Sequence, residues 1–247
     1  LPGVISPEQR SGRLSIQSVA PLLHRAFAMA GSTVAIIVNS PGGSPVQSRL
    51  ISKRIRDLAR EHDKHVLVFV EDAAASGGYF IATAGDEIIA DPSSVVGSIG
   101  VIFASFGFPE ALGKLGVERR VHTAGKNKST LDPFLPEKPE DVERIKQMEL
   151  DVHQVFIDWV KSRRAGKLKA PDEQLFTGEF WSGVRGLELG LVDAVGDLHE
   201  TLRARFGEDV STRVIQPRRG LLRLPSFGLA SSLLAAAEQR QLWTRLG

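Results

Sequence analysis

Apolar and polar residues follow two rhythms along this chain. The runs Val34 to Val38 and Val66 to Val70 are short and continuously apolar, the pattern of strands buried on both faces. Between them, apolar residues recur at helical spacing: Val46, Leu50 or Ile51, Ile55 and Leu58, with arginines and lysines in the gaps. The start of that helix is marked too. Ser44 is placed to cap it, Pro45 takes the first helical position, and Gln47 completes a capping box. Strand, helix and strand in this order predict a right-handed crossover and a mainly parallel sheet.

After the second strand, Ala73-Ala74-Ala75-Ser76-Gly77-Gly78-Tyr79 leads into a predicted helix through Tyr79, Phe80, Ile81 and Ala82. Further short strands are expected at Glu87 to Ala90 and Ile99 to Phe103, separated by Asp91-Pro92, and at Val117 to His122. Pro139 through Arg164 reads as a long helix: acidic residues open it, and Ile145, Met148, Val152, Val155 or Phe156, and Trp159 recur at its period. Leu1 to Ile5 has the character of the tail of a strand. The chain opens on Leu and not Met, consistent with a processed product or trimmed chain that has lost a signal or anchor segment.

No internal repeat is evident. The expected organisation is one compact domain over residues 1–218 and a C-terminal extension over 219–247. In the extension Leu229, Leu233, Leu234 and Ala237, then Leu242, Trp243 and Leu246, predict a helix with a partly apolar face. Packing on its own domain ranks first for that face, then contact with a neighbouring subunit. A membrane surface ranks last, because basic residues are few and the amphipathic contrast is poor.

Composition narrows the classes. A chain of 247 residues with 42% hydrophobic and 24% charged residues is ordinary for a globular α/β domain. A net charge of +2 gives nucleic-acid binding no support, even with an isoelectric point near 9.0. There are no cysteines, which removes disulfides, thiolate nucleophiles and cysteine metal sites. No apolar stretch reaches bilayer-spanning length.

The chemistry centres on Ser76. Small neighbours allow a substrate backbone to come close, and the amides of Gly77 and Gly78 can turn toward an incoming carbonyl. A helix starting beside Ser76 would add the positive end of its dipole. Upstream, Asn39-Ser40-Pro41-Gly42-Gly43 ends a strand, and Gly42 or Gly43 is placed to supply a second oxyanion donor; Asn39 and Ser40 shape the turn. A serine hydroxyl needs a base, commonly His and less often Lys. Lys128, in Lys126-Asn127-Lys128-Ser129-Thr130-Leu131-Asp132-Pro133-Phe134, is a candidate, and Lys126 competes with it. Such a lysine must be neutral to accept a proton, and Leu131 and Phe134 are compatible with a dry pocket. The bland readings are a small residue required by a tight turn for Ser76, a solvated loop lysine for Lys128, and a turn serine between glycines for Ser98. His24, His62, His65, His122, His153 and His199 are scattered without metal-ligand spacing, although His122 is close enough in sequence to Lys128 to keep a Ser-His arrangement open. No phosphate-binding glycine motif is present, so neither a metal nor a nucleotide cofactor is implied.

The segments Asn39 to Gly43, Ala75 to Tyr79, Gly97-Ser98-Ile99-Gly100-Val101 and Lys128 to Phe134 resemble, in order and spacing, the signature blocks of the signal peptide peptidase A family. The resemblance runs from about Gly31 to about Phe206 and is to the short, single-domain form. It implies a Clp-protease/crotonase-like α/β fold with a mainly parallel sheet and repeated β-β-α units. It selects Lys128 over Lys126 as the general base of a Ser/Lys dyad with Ser76. It gives Ser98 the role of orienting the lysine amine, and makes Gly42 or Gly43 together with Gly77 the oxyanion hole. The implied substrates are signal peptides or other extended hydrophobic peptides. In the family's short form the lysine reaches its serine across a protomer boundary, so a ring-like homo-oligomer with shared active sites is expected. Leu187 to Gly196 resembles the family's closing Gly-Leu-Val-Asp segment, and packing and turn formation are its expected roles. Members often carry an N-terminal membrane anchor, so a bacterial membrane-associated location stands beside a cytoplasmic one. Two rival readings use the same fold: a crotonase-type enzyme of acyl-CoA thioesters, and a non-catalytic oligomeric scaffold.

Overall fold

The computed structural model describes residues 1–8 and 12–216, so the expected extension over 219–247 and its boundary lie outside the described residues. The chain divides into two compact units: Leu1–Gly100 with Phe156 onward, and Val101–Val155 between them.

In the first unit, β1 (Val4–Ile5) and β2 (Arg13–Leu14) pair in parallel. The expected strand tail at the start of the chain is therefore a short strand, and isolated bridges join Pro2 to Asn39 and Ile5 to Gly43. Helix α1 (Ile16–Phe27) starts at the Ser15 cap and buries Val19, Leu23 and Phe27, four residues apart along one face. Then come β3 (Thr33–Ser40), α2 (Pro45–Glu61) and β4 (His65–Ala75), with both strands longer than their apolar cores. The Ser44 hydroxyl caps α2 by accepting from the Gln47 amide. The Gln47 side chain does not complete a capping box; its Oε1 accepts from the Ile16 amide at 2.8 Å and ties α2 to α1. Ile51, Ile55 and Leu58 are fully buried, each contributing about 1.5–3 kcal/mol. Val46, in the first turn of the helix, is exposed instead.

Helix α3 (Gly77–Ala82) follows β4, and then β5 (Glu87–Ala90) and β6 (Val95–Gly97). Strand β6 lies earlier than the expected Ile99 to Phe103. The positive φ of Gly97 and of Ser98 ends extended pairing there, and Ile99 plugs into the core instead. In the second unit α4 (Pro109–Lys114) buries no side chain, and the expected strand at Val117 to His122 is irregular. Exposed Val117, the Arg120–Glu118 pair and the Arg119–Asp132 pair occupy it. Helix α5 (Pro139–Arg163) starts in the second unit, and its residues from Phe156 belong to the first, where Phe156 and Val160 are buried. Met148 and Val155, on the predicted stripe, are exposed. The first unit resumes with α6 (Asp172–Leu175), β7 (Phe180–Ser182), α7 (Gly183–Leu189), β8 (Ala194–Val195) and α8 (Leu198–Phe206).

The architecture is mixed α/β. Among the described residues six strands form one sheet in the order β7-β6-β4-β5-β8, with β3 on the other side of β4. The β3–β4, β4–β5, β4–β6 and β5–β8 pairs are parallel, and β6–β7 is antiparallel. Strand β4 is the hub. Its residues Leu67 to Val70 pair with β5 and its residues Ala73 to Ala75 pair with β6, while β3 flanks both stretches. Ser94 Oγ donates to the carbonyls of Val70 and Glu71, where β4 passes from one partner to the other.

Candidate active site

Ser76 is the single residue between the end of β4 and the start of α3. Its backbone holds φ 50° and ψ −122°, a conformation that costs a non-glycine residue of order 1–3 kcal/mol. The Ser76 amide donates to the Gly97 carbonyl at 2.8 Å, and the Ser76 carbonyl accepts from the Phe80 amide at 3.0 Å. The hydroxyl is half-buried and makes no capping bond to α3, so it is available for chemistry. With six residues α3 has little macrodipole, and single amides, not a helix end, are the donors on offer here.

The expected glycines converge on this serine. A Cβ placed on Gly42 would lie 2.8 Å from the Ser76 Cβ and 3.0 Å from the Gly77 nitrogen. A Cβ on Gly77 would lie 3.4 Å from the Gly43 nitrogen. The Gly42–Gly43 and Ser76–Gly77 backbones therefore pass within van der Waals distance of each other, which the absence of side chains at Gly42 and Gly77 permits. The glycines are not equivalent. Gly42 is buried and its amide donates to Ser40 Oγ at 3.2 Å, so its donor is committed to the turn. Gly43 is exposed, and among the described residues neither its amide nor that of Gly77 has a protein acceptor. Bridging bonds from the Ile5 amide to the Gly42 carbonyl and from the Ser44 amide to the Ile5 carbonyl, both 2.8 Å, fix the orientation of the Gly43 peptide.

Ser98 follows Gly97, the residue that accepts from the Ser76 amide. It is half-buried, and its φ of 53° is a second strained serine conformation in the same unit. Lys128 belongs to the second unit. It sits on an exposed run of turns whose backbone closes by a bond from its amide to the Gly125 carbonyl at 3.3 Å. That run is braced on its C-terminal side. Asp132 pairs with Arg119 at 3.0 Å, and the buried carboxylate of Asp141 pairs with Arg144 at 2.7 Å and accepts from the Leu131 amide. Bonds from the Phe134 amide and Arg119 hold the Asp132 carboxyl below its ordinary pKa. The first unit thus gathers Ser76, Gly42, Gly43, Gly77 and Ser98, and the second carries Lys128.

The turn role expected of Ser40 takes the form of a completely buried hydroxyl that accepts from the Gly42 amide. A second contributor, Gly97, which anchors the amide of Ser76, escapes a reading of the sequence alone. The pair of glycines around Ser98 was a signal for Gly97, but a turn explains such a pair equally well. Among the described residues no three His, Asp or Glu side chains are grouped to hold a metal ion, and no helix is long and apolar enough to cross a membrane.

Residues 58–209 match peptidase family S49, a span that includes Ser76, Ser98, Lys128 and the Leu187 to Gly196 segment. The chain belongs to that family. It is similar to the Na(+)/H(+) antiporter NhaA of Brucella abortus, 57% identical over 251 residues covering 95% of this chain and 34% of that protein. Protease 4 of Haemophilus influenzae is 34% identical over 177 residues, 68% of this chain and 27% of that protein. The chloroplastic serine protease SPPA of Arabidopsis thaliana is 30% identical over 207 residues, 81% of this chain and 30% of that protein. The chain spans about a third of the length of these relatives. The S49 relationship and the protease names among the relatives make this a protein of the signal peptide peptidase A type, a serine protease family.

Proposed function

We propose that this chain is a serine endopeptidase in which Ser76 is the nucleophile and Lys128 the general base, on a Clp/crotonase-like fold of repeated β-β-α units. The observation that carries the reading is Ser76 itself, strained, between strand and helix, beside two glycine amides that have no acceptor among the described residues. In this mechanism Ser76 Oγ attacks the scissile carbonyl carbon while its proton passes to the neutral Lys128 Nζ. The Gly43 and Gly77 amides receive the oxyanion, and rigid backbone donors suit that task because they need no reorganisation as charge develops. Lys128 returns the proton to the leaving amine, and water activated by the neutral Lys128 Nζ so regenerated then hydrolyses the acyl-enzyme. Ser98 orients the lysine. Gly42 shapes the turn and leaves oxyanion binding to its neighbour.

Extended hydrophobic peptides, signal peptides among them, are the substrate class in this reading. In this reading the dyad is completed between protomers of a homo-oligomer. Work at a membrane surface is part of the same reading, supported by the NhaA relative, of which the matching region forms about a third. The alternative of acyl-CoA chemistry has no separate observation in its favour.

The test is mass-spectrometric analysis of a hydrophobic peptide library after incubation with wild type, Ser76→Ala and Lys128→Ala at alkaline pH. Cleavage by wild type and by neither variant is expected. Equal behaviour of all three removes the dyad and brings the acyl-CoA and scaffold readings forward.

A further inference from the structure

We propose that Trp181, on β7, is a positioning residue for the reaction, acting through Gly97 and Ser98; the inference rests on the Ser76/Lys128 reading above. Strand β7 runs antiparallel to β6 with Gly97 opposite Phe180 and Val96 opposite Trp181. Gly97 has φ 100°, and a Cβ there would lie 2.8 Å from two carbons of the Trp181 ring and 3.2 Å from the Glu179 carbonyl oxygen. The indole therefore lies directly on the bare Cα of Gly97. One residue on, the Ser98 amide donates to the Glu179 carbonyl at 2.6 Å. Two residues further, a Cβ on Gly100 would lie 2.9 Å from the Cα of Gly178. Residues 178–181 thus form a template against which residues 97–100 are moulded.

What the template shapes is the backbone that the reaction uses. The Gly97 carbonyl accepts from the Ser76 amide, so the height of Gly97 above the sheet sets where the nucleophile's peptide sits. Ser98, next in line, holds its positive φ, and such a conformation persists only where its surroundings over-determine it. The Trp181 ring is half-buried and packs against the main core, so it is a firm backing for Gly97. Removing it lets Gly97 and Ser98 relax together, moving the nucleophile and the lysine-orienting hydroxyl at once.

The test compares Trp181→Ala, Trp181→Leu and Trp181→Phe with wild type, and runs Ser76→Ala and Ser98→Ala beside them. Each full chain is assayed for kcat and KM on a fluorogenic hydrophobic peptide, for the rate of Ser76 labelling by a fluorophosphonate, and for thermal unfolding. Trp181→Ala should lower kcat and the labelling rate together by on the order of 10- to 100-fold with KM within about threefold, the signature of misplaced reacting groups. Trp181→Phe, which keeps a flat ring on Gly97, should restore most of the loss. If Trp181→Ala fails to fold, Trp181→Leu keeps the apolar volume without the ring and should show the same fall in kcat. Wild-type kcat per labelled site in a folded Trp181→Ala or Trp181→Leu protein, or a Trp181→Phe as impaired as the others, overturns the inference. A Ser76→Ala protein with full activity overturns the dyad reading and this inference with it; an inactive Ser76→Ala beside an unaffected Trp181→Ala overturns this inference alone.

Discussion

The Tyr79 hydroxyl donates to the Leu191 carbonyl across 2.7 Å, linking the helix that follows Ser76 to the Gly190-Leu191-Val192-Asp193 segment more than a hundred positions away in sequence. Tyr79 is completely buried, and burial pushes its phenol pKa well above the ordinary value, so it stays a neutral donor. Tyr79→Phe keeps the ring and strands the carbonyl. It should destabilise the protein by about 1–2 kcal/mol in urea unfolding. A shift within error would show that the Leu191 carbonyl is satisfied in another way.

Arg164, 2% exposed, donates twice to the Gly190 carbonyl and pairs with Asp193 at 2.6 Å, and Lys167 approaches the same carboxylate at 2.8 Å. Burial by itself raises the Asp193 pKa, but the hydrogen bonds from Arg164 and Lys167, the Arg164 charge and the Ile88 amide together outweigh it and hold the group below its ordinary value. A depressed carboxyl stabilises the fold above its unfolded pKa of about 3.9, and that contribution is lost as pH falls through the folded value. The melting temperature should therefore drop below about pH 4, with a shallower drop in Asp193→Asn. Arg164→Met leaves a mostly buried carboxylate short of a partner and should cost about 3 kcal/mol at neutral pH, the low end for a broken buried pair.

Ser76 invites a comparison of two variants. Both Ser76→Gly and Ser76→Ala remove the hydroxyl, but only glycine relieves the backbone at φ 50°. Ser76→Gly should be more stable than Ser76→Ala by about 1 kcal/mol in chemical denaturation. Equal stabilities would mean that the turn stores no strain at this residue.

A neutral lysine base makes the reaction rate rise toward alkaline pH, because protonation removes the acceptor. The rate of Ser76 acylation should climb with pH and level off once the amine is deprotonated. A profile flat from acid to alkali would count against Lys128 as base.

Residues with periodic patterns were the legible ones. The apolar runs around Ile36 and Val68, the Ser44-Pro45 helix start, Glu87 to Ala90 and the long helix after Pro139 are all where local rules put them. The errors came where tertiary contacts override local pattern. Ile99 reads as the start of a strand but is a core plug, because Gly97 and Ser98 turn the backbone first. Gln47 fits a capping box, yet the Ile16 amide reaches its side chain instead. At the candidate site the glycine-rich blocks were legible as close approaches. Which amide remains open was not, because it depends on the Ser40 hydroxyl folding back onto Gly42. The placement of Trp181 on Gly97 depends on pairing between residues more than eighty positions apart, which no local window contains.

Strand β4 carries β5 along one stretch and β6 along the next. Its two stretches are thus separate in their opening equilibria. The ladder at Leu67 to Val70, flanked on both sides, should release its amide protons only with global unfolding. The short β6–β7 ladder and the Ser76 amide bonded to it should exchange through a cheaper, local opening. Slow and fast exchange then meet within a single strand, and Ser76 stands on the faster side of that divide.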